Sequence, residues 1–165
     1  MKKHSVYRLT VTAVLAALAL ALSFLEGLLP PLPIPGARFG LANLVVMYAL
    51  AELSLPCAAG ITAVKALFAL LRGAVACFMS AAGGAAALIA MYLVWRTCRS
   101  HVSFVGVGVL GATAHNIGQL AVSLVLLGPA MWYYAPLLLL MAIPTGTITG
   151  LVLNATYPYL RQFSR

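Results

Sequence analysis

The sequence predicts an all-α polytopic membrane protein with six transmembrane helices and both termini on the cytoplasmic side. Three observations predict it. The 165 residues are 64% hydrophobic and 7% charged, with a mean hydropathy of +1.06, whereas a soluble domain carries roughly a quarter charged residues. The apolar residues form runs long enough to cross a bilayer, which takes about 20 residues of helix. The lysines and arginines, which set a net charge of +8, divide unevenly between the two sides that those runs define. The runs are apolar on every face, so the period-two alternation of a membrane β-barrel is absent. The chain reads as one domain, 1–165, with no linker, charge run or long tail.

The spans are read at 9–29, 40–55, 56–72, 76–95, 103–127 and 135–158. The first follows Met1-Lys2-Lys3 as a secretory signal would, but its apolar run is too long for one and Ala13 to Ala21 offers no cleavage context. The second and third are short and meet at Ser54-Leu55-Pro56, poor helix and good turn, so one bent hairpin is the alternative there. The fourth contains Ala81-Ala82-Gly83-Gly84-Ala85-Ala86-Ala87, a surface suited to close helix packing. The fifth opens with Gly106-Val107-Gly108-Val109-Leu110-Gly111, which matches GxGxxG literally. No strand precedes it and no acid occurs after Glu52, so it reads as a small-residue helix face and not a nucleotide site. The sixth carries Gly146 and Gly150, a helix-packing GxxxG.

With both termini inside, the cytoplasmic side holds Lys2, Lys3, Arg8, Arg96, Arg99, Arg161 and Arg165. The outside holds Arg38 and Arg72, and Lys65 lies within the third span, which is the positive-inside pattern. Trp95 falls at the inner interface and Trp132-Tyr133-Tyr134 at the outer one, as aromatic belts do.

A rise of 1.5 Å per residue assigns depths. Glu26, Arg38, Asn43, Lys65, Arg72, His115, Asn116 and Gln119 fall in the outer half or at the midplane, contributed by five segments. Lys65 and Arg72, seven residues apart, share a helix face about 10 Å apart in depth. Gln119 lies one turn beyond, on the face of His115 or of Asn116. The inner half holds only Glu52, Asn154 and the threonines near the centre of the sixth span. Ionisable groups are expensive in a bilayer and mark function by default. The asymmetry therefore predicts a polar cavity open to the outside, closed below by apolar packing. A stiff proline-rich loop covers it, with Pro35, Gly36 and Gly40 as lid residues. Plainer readings stand beside these. Arg38 and Arg72 can snorkel to headgroups; Lys65 can pair with Glu26 or Glu52; His115 can be a hydrogen-bonded core histidine. Three cationic candidates and one acid incline the cavity towards a polar or anionic small molecule bearing phosphate or carboxylate.

Other chemistries find no support. Cys57, Cys77 and Cys98 form neither CxxC nor metal spacing and read as small core residues. There is no HExxH, nucleophile elbow or Walker A, and no Asp at all. Glu26 and Glu52 fall at opposite faces, so a magnesium-diphosphate site is not expected, nor any metal, cofactor or catalytic residue. No basic stripe is interleaved with stacking aromatics, which argues against nucleic acid. In the first span Ala13, Ala17 and Ala21 recur every four residues. They line one stripe on which another helix can lie, or which packs internally.

The chain resembles the Gx transporter family, related to the substrate-binding (S) components of energy-coupling factor (ECF) transporters and often labelled heptaprenyl diphosphate synthase component I. The resemblance covers most of the chain. It rests on Pro35-Gly36-Ala37-Arg38-Phe39-Gly40-Leu41-Ala42-Asn43, on Ser80 with Gly83-Gly84, on His115-Asn116-Ile117-Gly118-Gln119-Leu120, and on Thr145-Gly146-Thr147 with Thr149-Gly150. It implies an S-component-like bundle in a bacterial cytoplasmic membrane, with substrate held near the outer face under the first loop. It implies Ala13, Ala17 and Ala21 as the groove for a membrane coupling subunit, a cytoplasmic ATPase pair to drive uptake, and toppling of the component to release cargo. The synthase label implies a non-catalytic membrane accessory of a prenyl diphosphate synthase instead, for which Glu52, Arg96, Arg99 and His101 would matter. A carrier driven by an ion gradient would show two inverted halves, and no convincing internal repeat is found.

Overall fold

The computed structural model describes residues 2–28, 40–98 and 101–163. They form six helices and, among the described residues, no strand: α1 (Lys2–Leu28), α2 (Leu41–Glu52), α3 (Leu55–Phe68), α4 (Ala74–Cys98), α5 (Phe104–Leu127) and α6 (Ala135–Phe163). A 3-10 turn at Ala69–Arg72 extends α3, and another at Pro129–Tyr134 leads into α6.

Five segments are long and apolar enough to cross a membrane: Val6–Leu28, Leu55–Arg72, Ala74–Cys98, Phe104–Leu127 and Pro129–Arg161. The sixth expected span, α2, has 12 residues, about 18 Å of helix against a hydrocarbon core of roughly 30 Å. Its ends explain the shortness. Gly40 sits in the left-handed region at φ 69° immediately before Leu41, a conformation that suits glycine. At the other end Leu53 leaves the helix, and Ser54 is extended ahead of Leu55-Pro56, where proline suits a first helical turn. The region 40–72 is thus two helices joined by a two-residue turn.

Successive helices run in opposite directions. The link between Glu26 and Leu41 brings the end of α1 to the start of α2. A hydrogen bond from the Tyr157 hydroxyl to the Glu52 carboxylate brings the last turns of α6 to the end of α2. The bundle therefore has a Gly40 end and a Glu52 end, with the start of α1 and the end of α6 at the latter.

α5 is the axis of the bundle, packed most extensively against α4 and α6. Glycines allow the approach. A Cβ on Gly118 would lie 2.7 Å from the Ala82 carbonyl oxygen, and one on Gly83 would lie 2.8 Å from that of His115. Gly108, Gly146 and Gly150 bring α5 and α6 backbone to backbone, where a Cβ on either α6 glycine would strike Val109 or Val105. The literal GxGxxG is thus a packing face: Gly108 meets Gly146, and Gly111 meets Met91 of α4.

The largest apolar core lies towards the Glu52 end. It joins Val45, Met47, Ala49 and Leu50 of α2 to Ile61, Ala87, Met91, Val107 and Leu153. Phe104 closes it, its ring centroid 5.2 Å from that of Trp95 and 4.8 Å from that of Tyr157. A smaller cluster of Leu120, Met131, Ala135 and Leu138 fills the other end between α5 and α6. α1 is peripheral: only 6% of its most apolar window is buried, against 22–39% for the other long spans.

Candidate functional site

Towards the Gly40 end the bundle holds a small cavity that opens to its surface. Every helix contributes to it. The last turns of α1 supply Ser23 and Glu26; the first turn of α2 supplies Ala42 and Asn43, with Gly40 just before it. α3 supplies Lys65, and its 3-10 extension supplies Arg72. Ser80 comes from α4, and Ala112, His115, Asn116 and Gln119 from α5. Thr145 comes from α6.

Local structure aims these side chains. His115 and Gln119 are one turn apart on α5 and Asn116 sits beside them, so all three reach the same space. Gly83 of α4 lies directly against His115, and any side chain there would fill the place of the imidazole. The Asn116 amide donates to the Leu138 carbonyl of α6 at 2.6 Å, which ties the polar face of α5 to α6. Lys65 Nζ donates to Asn43 Oδ1 at 2.6 Å, fixing the ammonium over the first turn of α2. The Glu26 carboxylate accepts the backbone N–H of Leu41. That N–H is one of the donors a helix start leaves unsatisfied, and Gly40 has no side chain to cap it. A carboxylate there also meets the positive end of the α2 dipole. Arg72 is exposed and Gln119 is 7% exposed, so the lining grades from an open cationic rim to a buried amide.

Seven of the expected ligand-contacting residues, Glu26, Asn43, Lys65, Arg72, His115, Asn116 and Gln119, line this one cavity, and so does Gly40. Arg38 and the loop residues Pro35 and Gly36 lie outside the described residues. Of the two pairings open to Lys65, Glu52 stands at the far end of α2 beside Tyr157, while Glu26 shares the cavity. Thr145 corrects one expectation. The threonines near the centre of the sixth span were grouped with the inner half, but Thr145, ten residues into α6, lines the cavity together with His115 of α5. Ser23 and Ser80 also escaped the depth argument. Small hydroxyls are common in membrane helices and often bond their own backbone, so they carry little signal. The spacing of Ser23 one turn before Glu26 is the clue available. The small-residue ladder fares differently: Ala13, Ala17 and Ala21 are all exposed on the outer face of α1. No group of three or more His, Cys, Asp or Glu capable of holding a metal occurs among the described residues.

The family model described as heptaprenyl diphosphate synthase component I matches residues 15–156, and the chain belongs to that family. The fold is similar to a solved structure, the S component of a bacterial ECF transporter, with a TM-score of 0.64. That match covers 96% of this chain and 95% of the other at 20% sequence identity, a likeness of fold. No curated protein matches the sequence.

Proposed function

We propose that this chain is the substrate-binding S component of an ECF-type importer in a bacterial cytoplasmic membrane. In this reading both termini face the cytoplasm, and the cavity at the Gly40 end captures a small polar or anionic molecule from outside. One observation carries it: all six helices of an S-component-like fold line one cavity, and four of them bring charged, imidazole or amide side chains to it. The apolar core fills the bundle towards the opposite end. The 27–40 connection serves as the lid, held at its base by Glu26. Uptake is driven by a cytoplasmic ATPase pair through a membrane coupling subunit, which docks on the exposed stripe of Ala13, Ala17 and Ala21. The component itself performs no catalysis.

The test is purification of the tagged protein from its native membranes in mild detergent, with mass spectrometry of co-purifying proteins and small molecules. A coupling subunit with an ATPase pair supports the reading. So does loss of uptake in Lys65→Ala and His115→Ala. Unchanged uptake in both variants, with no small molecule bound, overturns it.

The family description favours a second reading, a membrane accessory of a prenyl diphosphate synthase. The polar cluster at the Glu52 end, where Tyr157 bonds Glu52 and Arg96 Nη1 donates to the Tyr92 hydroxyl at 2.8 Å, would then be the contact surface. Co-purification of a soluble prenyl synthase, with activity lowered by Glu52→Ala or Arg96→Ala and untouched by cavity variants, selects that reading.

A further inference from the structure

We propose that the groove between the end of α2, the start of α3 and the last turns of α4 binds an anionic phospholipid, with Arg96 on the head-group phosphate. The groove lies at the Glu52 end, away from the cavity described above. The proposal rests on the membrane setting of the chain and is independent of the transport reading.

Depth and shape select a lipid. Leu50 and Ala51 of α2 and Leu55 of α3 give the groove an apolar side, and Tyr92, Trp95 and Arg96 of α4 form its other wall. It opens broadly to the surface and offers about 390 Å³ of space, within the roughly 300–1,000 Å³ of small-molecule sites. All six residues stand close to a helix end. Leu50 and Ala51 precede the stop of α2 at Glu52, Leu55 is first in α3, and Tyr92 to Arg96 lie in the last two turns of α4. Leu55–Arg72 and Ala74–Cys98 are each long and apolar enough to cross the bilayer, so their shared end marks the edge of the hydrocarbon. A groove at that level, apolar on one side and cationic on the other, fits a molecule whose acyl chain begins where its phosphate ends.

Charge selects an anionic one. Arg8, Arg96 and Arg161 are all exposed at this end of the bundle. The chain has two acids, and Glu52 alone stands here, its carboxylate accepting the Tyr157 hydroxyl. Basic groups at a membrane surface attract anionic head groups, and basic pockets between helices bind them specifically. The wall is also held in place. Arg96 Nη1 donates to the Tyr92 hydroxyl at 2.8 Å, and its Cζ lies 5.9 Å from the Tyr92 ring centroid. Tyr92 is one turn nearer the bilayer centre, so the guanidinium is tied to the groove wall instead of reaching alone into water. A guanidinium carries five N–H donors in a rigid fork matched to phosphate, and the tyrosine takes one of them. Behind it the Trp95 ring stacks on Phe104, which in turn packs on Tyr157. Little ordering cost then falls on the protein when a lipid binds.

The experiment reads lipid occupancy at Trp95 by fluorescence quenching. The chain has two tryptophans, so Trp132→Phe leaves Trp95 as the reporter. That protein is reconstituted into vesicles of phosphatidylcholine and phosphatidylglycerol, with one or the other brominated in its acyl chains. Both leaflets carry the same mixture, so insertion direction does not affect the result. The expected preference at Trp95 is at least about fivefold for phosphatidylglycerol. Arg96→Gln should bring it close to one. Arg96 is exposed, and an unchanged Trp95 emission in unbrominated lipid checks that this variant is folded. Tyr92→Phe, which keeps the charge and frees the guanidinium from its tether, should give an intermediate preference. Quenching by neither lipid, equal quenching by both, or a preference that survives Arg96→Gln overturns the proposal. So does a preference that disappears at about 1 M salt, where the Debye length is about 3 Å, since that is diffuse attraction and not a site. Loss of the preference in excess inorganic phosphate overturns the lipid as occupant in favour of a free anion. If Trp95 is reached by neither lipid only when co-purifying proteins are retained, the groove is a protein contact and the proposal falls.

Discussion

Glu26 and Asn43 show how single residues shape this site. Glu26 caps α2 from fifteen residues away, because Gly40 has no side chain to do so. Glu26→Gln keeps a carbonyl acceptor and should leave the melting temperature near that of the parent. Glu26→Ala leaves the Leu41 N–H short of its partner and should cost about 1–3 kcal/mol, read as a lowered midpoint in thermal unfolding of the detergent-purified protein. Asn43→Ala removes the acceptor of the Lys65 ammonium. It should destabilise by a similar amount, about 1–3 kcal/mol, and weaken ligand binding as well, so a variant that unfolds normally and binds normally would refute the assignment. The charged and amide residues of the cavity were legible in the sequence because each is expensive in lipid. Ser23, Ser80 and Thr145 were not, because a hydroxyl in a helix can satisfy itself: Thr145 Oγ1 donates to the Met141 carbonyl at 2.8 Å.

Among the helices, α5 is held by backbone contact on both sides, and glycine position decides what each substitution does. A Cβ on Gly146 or Gly150 would meet Val109 or Val105 main chain, which cannot rotate away. Gly146→Ala and Gly150→Ala should each lower stability by about 1–3 kcal/mol, seen in the same unfolding assay. Gly60, in α3, faces open space. Gly60→Ala should be neutral or stabilising by up to about 1 kcal/mol, the helix-propensity difference. Equal effects at the two kinds of position would refute this account of the α5–α6 contact. The turn between α2 and α3 was legible in Ser54-Leu55-Pro56, and α6 begins at Ala135 as the sixth span was read. What a hydropathy run does not register is the 3-10 winding at Ala69–Arg72 and Pro129–Tyr134.

For the whole molecule, the outer face of α1 is the large unpaired surface. Ala13, Ala17 and Ala21 are exposed on a helix that buries little against the rest. Ala17→Trp should leave the unfolding midpoint of the isolated chain within about 0.5 kcal/mol of the parent, as surface changes do. If the stripe docks the proposed coupling subunit, Ala17→Trp should abolish co-purification of that subunit, whose retention would remove the stripe from the proposal. Orientation is checked through Cys98, exposed at the Glu52 end. In a Cys57→Ser, Cys77→Ala background, an impermeant maleimide should label Cys98 in inverted membrane vesicles and not in intact cells.

From the sequence alone came the membrane solvent, the approximate helices and a polar cluster at one end of the bundle. All three follow from transfer free energy, which is a property of residues in runs and at depths. Tertiary packing alone decided the rest: that Glu26 caps α2, that Lys65 meets Asn43 rather than Glu52, and that Thr145 lines one cavity with His115. These depend on where helices touch, and touching is set by glycine contacts and helix-end geometry between segments far apart in sequence.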